Sequence, residues 1–133
     1  MAIRIPNINP IDVDNNVAVG VAIPFNQPAV FRSTFTTIDQ TKSNIINYIL
    51  TNKGERIFNL NFGSNIRSQL FNNSTPQTVN NIKLTLQSEL EINFPQVKIQ
   101  NLTVTPNYDV NTIDIVIVYS IYNGEPETIQ ITT

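Results

Sequence analysis

Two opposite charges stand side by side at Glu55-Arg56, directly after Gly54 and shortly before Phe62-Gly63, in a chain with only 14% charged residues. Arg offers a planar fork that fits a carboxylate or the free carbonyls at a helix end. The trio therefore reads in two ways: as a joint fixing the angle between two elements, or as a docking site for another chain. The two are compatible, since a rigid joint also fixes the geometry of a surface. Acid chemistry has less support. A glycosidase needs two carboxylates facing one bond, whereas Glu89 and Glu91 are two apart in a helical pattern and diverge. Asp12 and Asp14 fall in a Pro- and Asn-rich arm.

Other chemistries are restricted by composition. No His and no Cys are present, so Ser-His-Asp and Cys-His sites, imidazole or thiolate zinc sites and disulfides are excluded. "DVDNN" at 12–16 shares the opening of a calcium loop, but lacks the Gly at its sixth and the Glu at its twelfth position. The four glycines are scattered, so no phosphate-binding loop exists. Eight dispersed basic residues and a net charge of −2 give no stripe for nucleic acid. No cofactor is expected. The N-terminus lacks the apolar run of a secretory signal, and no stretch reaches the ~20 apolar residues that span a bilayer. A soluble protein without membrane or nucleic-acid partners is expected.

The elements that must position these residues follow from patterning. The 133 residues, 41% hydrophobic, suit one domain over 1–133 with one core, whose residues 1–16 form an irregular N-terminal arm. With 20 Asn, 20 Ile and 14 Thr, the polar surface is mostly amide and hydroxyl, and little charge opposes self-association. Alternation of Val17, Val19, Val21 and Ile23 predicts a short strand within 16–25, closed by Pro24. Residues 26–37 read as a connector with Phe31 and Phe35 turned inward. A helix starts near Thr37 or Asp39, either of which can cap it. Ile38, Ile45, Ile46, Ile49 and Leu50 form its apolar side, and Gly54 supplies the left-handed residue past its last turn.

A short helix is expected over 64–71, capped by Ser64, with Ile66, Leu70 and Phe71 buried. Ser74 or Thr75 then caps a longer helix with Pro76 in its first turn. Val79, Ile82, Leu86 and Leu90 make its stripe, and Asn93-Phe94-Pro95 ends it. Beyond it, Val97 and Ile99 alternate, then Leu102 and Val104, with a phase slip at Gln100-Asn101 that predicts a bulge. The β-branched run 112–123 reads as a central strand, with Ile113, Ile115, Ile117, Tyr119 and Ile121 on one face and Val116, Val118 and Tyr122 on the other. Residues 127–133 form a last strand. The class is α+β: an N-terminal arm and short strand, two main helices plus a short one, and a three-stranded antiparallel C-terminal meander.

The last strand carries Thr128, Ile129, Gln130 and Ile131, with no Lys and no Pro after Pro126. Edge strands are normally blunted by charge, proline or bulges. This one reads either as an edge completed by strands from a neighbour or as one covered by the chain's own N-terminal segment.

The segment "ILTNKGER" followed by an apolar residue, then "NFG", then a short helix with "LF", resembles the phage baseplate wedge family of contractile tails. These are sheath initiators, also called lysozyme-like, with relatives in type VI secretion. The resemblance spans roughly residues 37–123, and 49–63 is its specific part. Asn61 stands where the family has an acid, ahead of Phe62 and Gly63. Phe94-Pro95-Gln96 occupies the place of the family's Glu-Pro-Arg, keeping Pro95 without either charge.

What the resemblance implies is assembly without turnover. Six copies would sit around the tail tube in the virion baseplate, after synthesis in the host cytoplasm. Phe94, Pro95 and Gln96 would dock onto the helical core bundle of neighbouring wedge proteins, and Gly54, Glu55, Arg56, Phe62 and Gly63, read above as a joint, would belong to the partner-binding surface it holds. Thr128, Ile129, Gln130 and Ile131 would accept extended arms from the first ring of tail sheath protein. A peptidoglycan-hydrolysing tail protein is the second reading, and a small-ligand binding domain with a deep apolar pocket the third.

Overall fold

Among the described residues the computed structural model has β1 (Gly20–Val21), β2 (Ser33–Thr34), α1 (Thr37–Leu50), α2 (Pro76–Asn93), β3 (Val97–Asn107), β4 (Thr112–Ile121) and β5 (Pro126–Thr132). The structure describes residues 16–23, 33–66, 68–69, 75–110, 112–122 and 124–132. The class is α+β, as the patterning predicts. The chain divides into two units, Met1–Ile45 and Ile46–Thr133, with the division inside α1.

In the first unit, β1 and β2 form a two-stranded antiparallel sheet, Gly20 opposite Thr34 and Val21 opposite Ser33. The expected strand shrinks to two residues, and the supposed connector contributes its partner. The Val alternation does not translate into burial, since Val17 and Val21 are both exposed. The Gln40 side chain lies against Gly20 instead, where any Cβ would collide with it. Gln40 is held there by Thr34 Oγ1, which donates to its Oε1 at 2.7 Å, and by its own donation to Asn44 Oδ1 at 2.8 Å. Phe35 is exposed rather than turned inward, and Phe31 lies outside the described residues.

The cap of α1 is Thr36, one residue before the expected Thr37. Its hydroxyl oxygen accepts from Asp39 N at 3.2 Å, as an N-cap does, and its O–H donates to Asp39 Oδ2 at 2.8 Å. Ile45, Ile46 and Ile49 are buried as expected, while Ile38 and Leu50 are exposed. Ile38 lies in the first turn. Leu50 stands about 200° around the helix from Tyr48, a buried residue that the apolar count omits.

In the second unit, Thr75 caps α2 by accepting from Thr78 N at 3.3 Å, and Pro76 occupies the first turn. Ser74 falls outside the described residues. Ile82, Leu86 and Leu90 are buried, Val79 only half-buried. Phe94 ends the helix, its N–H donating to Leu90 O at 2.9 Å. α2 packs along β3.

The three strands form an antiparallel meander in the order β3-β4-β5. The register slips between Ile99 and Asn101, at the expected bulge. Buried residues line up across the sheet: Val104, Ile115 and Ile131 in one row, Leu102, Ile117 and Ile129 in the next. Ile113 and Tyr119 extend the same face, whereas Ile121, expected there, is half-buried. Val116 and Val118 on the opposite face are half-buried, and Tyr122 is exposed with a positive φ of 49°.

A candidate docking site at the end of the first helix

The carbonyls that α1 leaves open at its C-terminus are met from an unexpected direction. Ser64 donates its hydroxyl to Ile49 O at 2.8 Å and its backbone N–H to Thr51 O at 2.9 Å, and it is buried. Ser64 therefore closes the end of α1. Helical geometry returns at Ile66, Ser68 and Gln69, with Ile66 buried; Leu70 and Phe71 lie outside the described residues. For Ser64 to reach the helix end, the backbone of Gly63 must press against Thr51. Gly63 has φ +112°, and a Cβ there would clash with Thr51 O and come within 3.0 Å of its carbonyl carbon. Only glycine meets both demands.

Gly54 also has a positive φ, +92°, but it does not turn back to the helix. Its N–H donates to Leu60 O at 2.9 Å and closes the loop that follows. Glu55 locks the preceding turn. Its carboxylate accepts from Asn52 N at 3.1 Å and from Asn52 Nδ2 at 2.8 Å, and its own N–H donates to Asn52 O at 3.2 Å. Arg56 bonds to neither a helix-end carbonyl nor a carboxylate among the described residues. Its guanidinium carbon lies 3.8 Å from the centre of the Phe62 ring, a cation–π contact.

Phe62 in turn joins two segments that the sequence keeps apart. It meets Tyr48 edge-on, centroids 5.1 Å apart at 82°, and Tyr48 meets Phe94 edge-on at 6.0 Å and 89°. Arg56, Phe62, Tyr48 and Phe94 thus form one run of stacked and edge-on contacts that links the Gly-Glu-Arg joint to the Phe94-Pro95-Gln96 segment. Tyr48 is the residue that sequence reasoning missed, though its spacing of three from Ile45 places it on the buried side of a helix.

Polar contacts anchor this run to α2. Tyr48 donates its hydroxyl to Glu89 Oε2 at 3.3 Å and accepts from Asn93 Nδ2 at 3.4 Å, while Asn93 Nδ2 also donates to Glu89 O at 2.7 Å. Lys53 completes the group by an ion pair with Glu89 Oε1. Burial, then the adjacent Glu89 carboxylate and the bond to it, push the Tyr48 hydroxyl up from 10.0 to about 12. Glu89, one of the two acids weighed for hydrolysis, is thus committed to Lys53 and Tyr48.

The other predicted residues divide by exposure. Phe94 is 8% exposed and its ring belongs to the core, while Pro95 is exposed. Gln96 is half-buried and accepts from Tyr122 N at 3.3 Å. In β5, Ile129 and Ile131 are 1% and 6% exposed, whereas Thr128 and Gln130 face solvent. Among the described residues β5 has β4 as its one strand neighbour. No group of three metal-ligating side chains occurs among the described residues, and no described helix is long and apolar enough to cross a membrane.

Comparison with known proteins bears on what this arrangement serves. A chain of the anti-feeding prophage baseplate, solved by cryo-EM with six-fold symmetrisation, has a TM-score of 0.60 at 17% identity, over 79% of this chain and 86% of that one. A Geobacter sulfurreducens protein named as a tail lysozyme has a TM-score of 0.65 at 18% identity, over 74% of this chain and 90% of that one. At those identities the likeness concerns the fold. In sequence, the chain is 30% identical over 90 residues to baseplate wedge protein gp25 of Enterobacteria phage T4, covering 68% of each. Residues 36–125, which contain the joint, Tyr48, α2, β3 and β4, match the family described as baseplate wedge protein gp25, and the chain belongs to that family.

Proposed function

We propose that this chain is a structural part of the baseplate wedge of a contractile tail, and that it starts the sheath by accepting strands from the first sheath ring. The observation that carries the second half is the outer edge of β5. Ile129 and Ile131 are fixed in the core beneath it, so the strand is held in place. Its remaining main-chain groups form a row that another extended chain can join. Each added bond contributes only ~1 kcal/mol net, so several must form together, and repetition in six copies around a ring would multiply them. Docking onto neighbouring wedge proteins is assigned to the joint at 54–63 and to the adjoining Pro95-Gln96, which the Tyr48 contacts hold in fixed relation.

Hydrogen exchange tests the strand-accepting role. On addition of the tail sheath protein, the amides of 127–132 should gain protection while those of α2 stay unchanged. Unaltered exchange in β5, with sheath protein in excess and this chain folded, would remove the sheath role and leave the wedge role.

A further inference from the structure

The loop closed by Gly54 leaves three large apolar side chains in solvent. Ile57 is 85% exposed, Leu60 61%, and Phe58 entirely. The loop is nevertheless well braced: Gly54 N donates to Leu60 O at 2.9 Å, and Asn59 N to Arg56 O and Phe62 N to Asn59 O each at 3.2 Å. Phe62 is fixed edge-on to Tyr48. Apolar side chains on a braced loop lose little freedom on binding, which favours association. Beside them, Arg56 lies flat on Phe62. A stacked guanidinium keeps its N–H edge available for an acceptor, and no described residue supplies a carboxylate. Lys53, the neighbouring cation, is already paired with Glu89.

We propose that this loop is a plug for another protein of the baseplate: Phe58 and Ile57 enter an apolar groove of the partner, and Arg56 meets a carboxylate at the groove's rim. The inference rests on the wedge-assembly reading and names the chemistry of the partner surface. A second copy of this chain fits less well. Phe58 offers ~200 Å², and the three side chains together stay well below the ~800 Å² per partner of a standard stable interface. A two-fold contact through this loop would also bring one Arg56 towards the other.

The test is Phe58→p-benzoylphenylalanine in the full chain, photo-cross-linked inside assembled baseplates, with Gln77 on exposed α2 surface as the control position. Incorporation into baseplates is scored separately. Cross-links from position 58 should fall on one other wedge protein, in an apolar segment with Asp or Glu within a helical turn. Arg56→Glu should lower incorporation roughly tenfold or more, with Arg56→Lys less affected. Phe58→Ser, which removes a solvent-exposed ring, should keep the melting temperature and serves as the fold control. Cross-links to a second copy or to sheath protein, or none from baseplates that contain the protein, would overturn the plug while leaving wedge assembly intact. Absence of the wild-type chain from baseplates would overturn both.

Discussion

Gly54 and Gly63 share a left-handed backbone but differ in surroundings, and replacing each by alanine separates backbone strain from steric collision. At Gly54, φ is +92° and a Cβ would meet nothing within 4 Å. Gly54→Ala therefore carries the conformational penalty alone, about 1–2 kcal/mol. At Gly63, φ is +112° and the new methyl would strike the Thr51 carbonyl. Relief requires the 63–64 backbone to withdraw from α1, which breaks the Ser64 bonds to Ile49 O and Thr51 O. Each bond contributes about 0.5–1.5 kcal/mol, and a buried carbonyl left unpaired costs more. Added to the strain, Gly63→Ala should cost about 3–5 kcal/mol. Urea unfolding measures both: the midpoints should fall for both variants, much further for Gly63→Ala, with the slope unchanged. Equal losses, or a larger loss at Gly54, would refute the reading that Gly63-Ser64 closes α1 while Gly54 closes the loop beyond it.

Three further outcomes are expected. Ser64→Ala should lose about 1–3 kcal/mol, since it leaves the buried Ile49 carbonyl without its side-chain donor, and urea unfolding again reads it. Tyr48 has a folded-state pKa above its unfolded value, so its contribution is complete below pH 10.0 and is lost as pH rises towards about 12. The unfolded chain releases that proton first, so stability falls with pH across that window. Tyr48→Phe should flatten this alkaline loss in pH-dependent unfolding, and an unchanged slope would contradict the assignment. Arg56→Ala should cost only about 0.5–1 kcal/mol, the worth of an exposed cation–π contact, while impairing assembly with wedge proteins; a variant that assembles normally would remove Arg56 from the docking site.

The C-terminal two-thirds of the fold is legible because local chemistry and tertiary burial agree there. Thr75-Pro76 starts α2, Ile82, Leu86 and Leu90 recur at helical spacing, and the phase slip after Ile99 is the bulge itself. The N-terminal third is not, because its alternating valines mark no buried face: β1 is two residues long and Gly20 is covered by Gln40. At the site, glycine chemistry is readable but its target is not. A positive φ at Gly54 follows from the sequence, whereas its bond to Leu60 rather than to α1 goes with Ser64 occupying the Ile49 and Thr51 carbonyls. Tyr48 escaped an apolar count because its hydroxyl makes it look like surface, and its partners Glu89 and Asn93 lie some forty residues on. Exposure of Ile57, Phe58 and Leu60 had no local signature at all, since an apolar residue in a loop is as readily buried as presented.

The measurement that tests the assembly role most directly is size-exclusion chromatography with light scattering, on the purified chain mixed with its wedge proteins and, separately, with its sheath protein. Co-elution with both is the predicted result. The sheath complex should be lost on Thr128→Lys with Gln130→Lys, which charge the exposed positions of β5 and spare the buried Ile129 and Ile131. A folded chain that co-elutes with neither would contradict the assembly function, and release of fragments from peptidoglycan by the same preparation would put hydrolysis in its place.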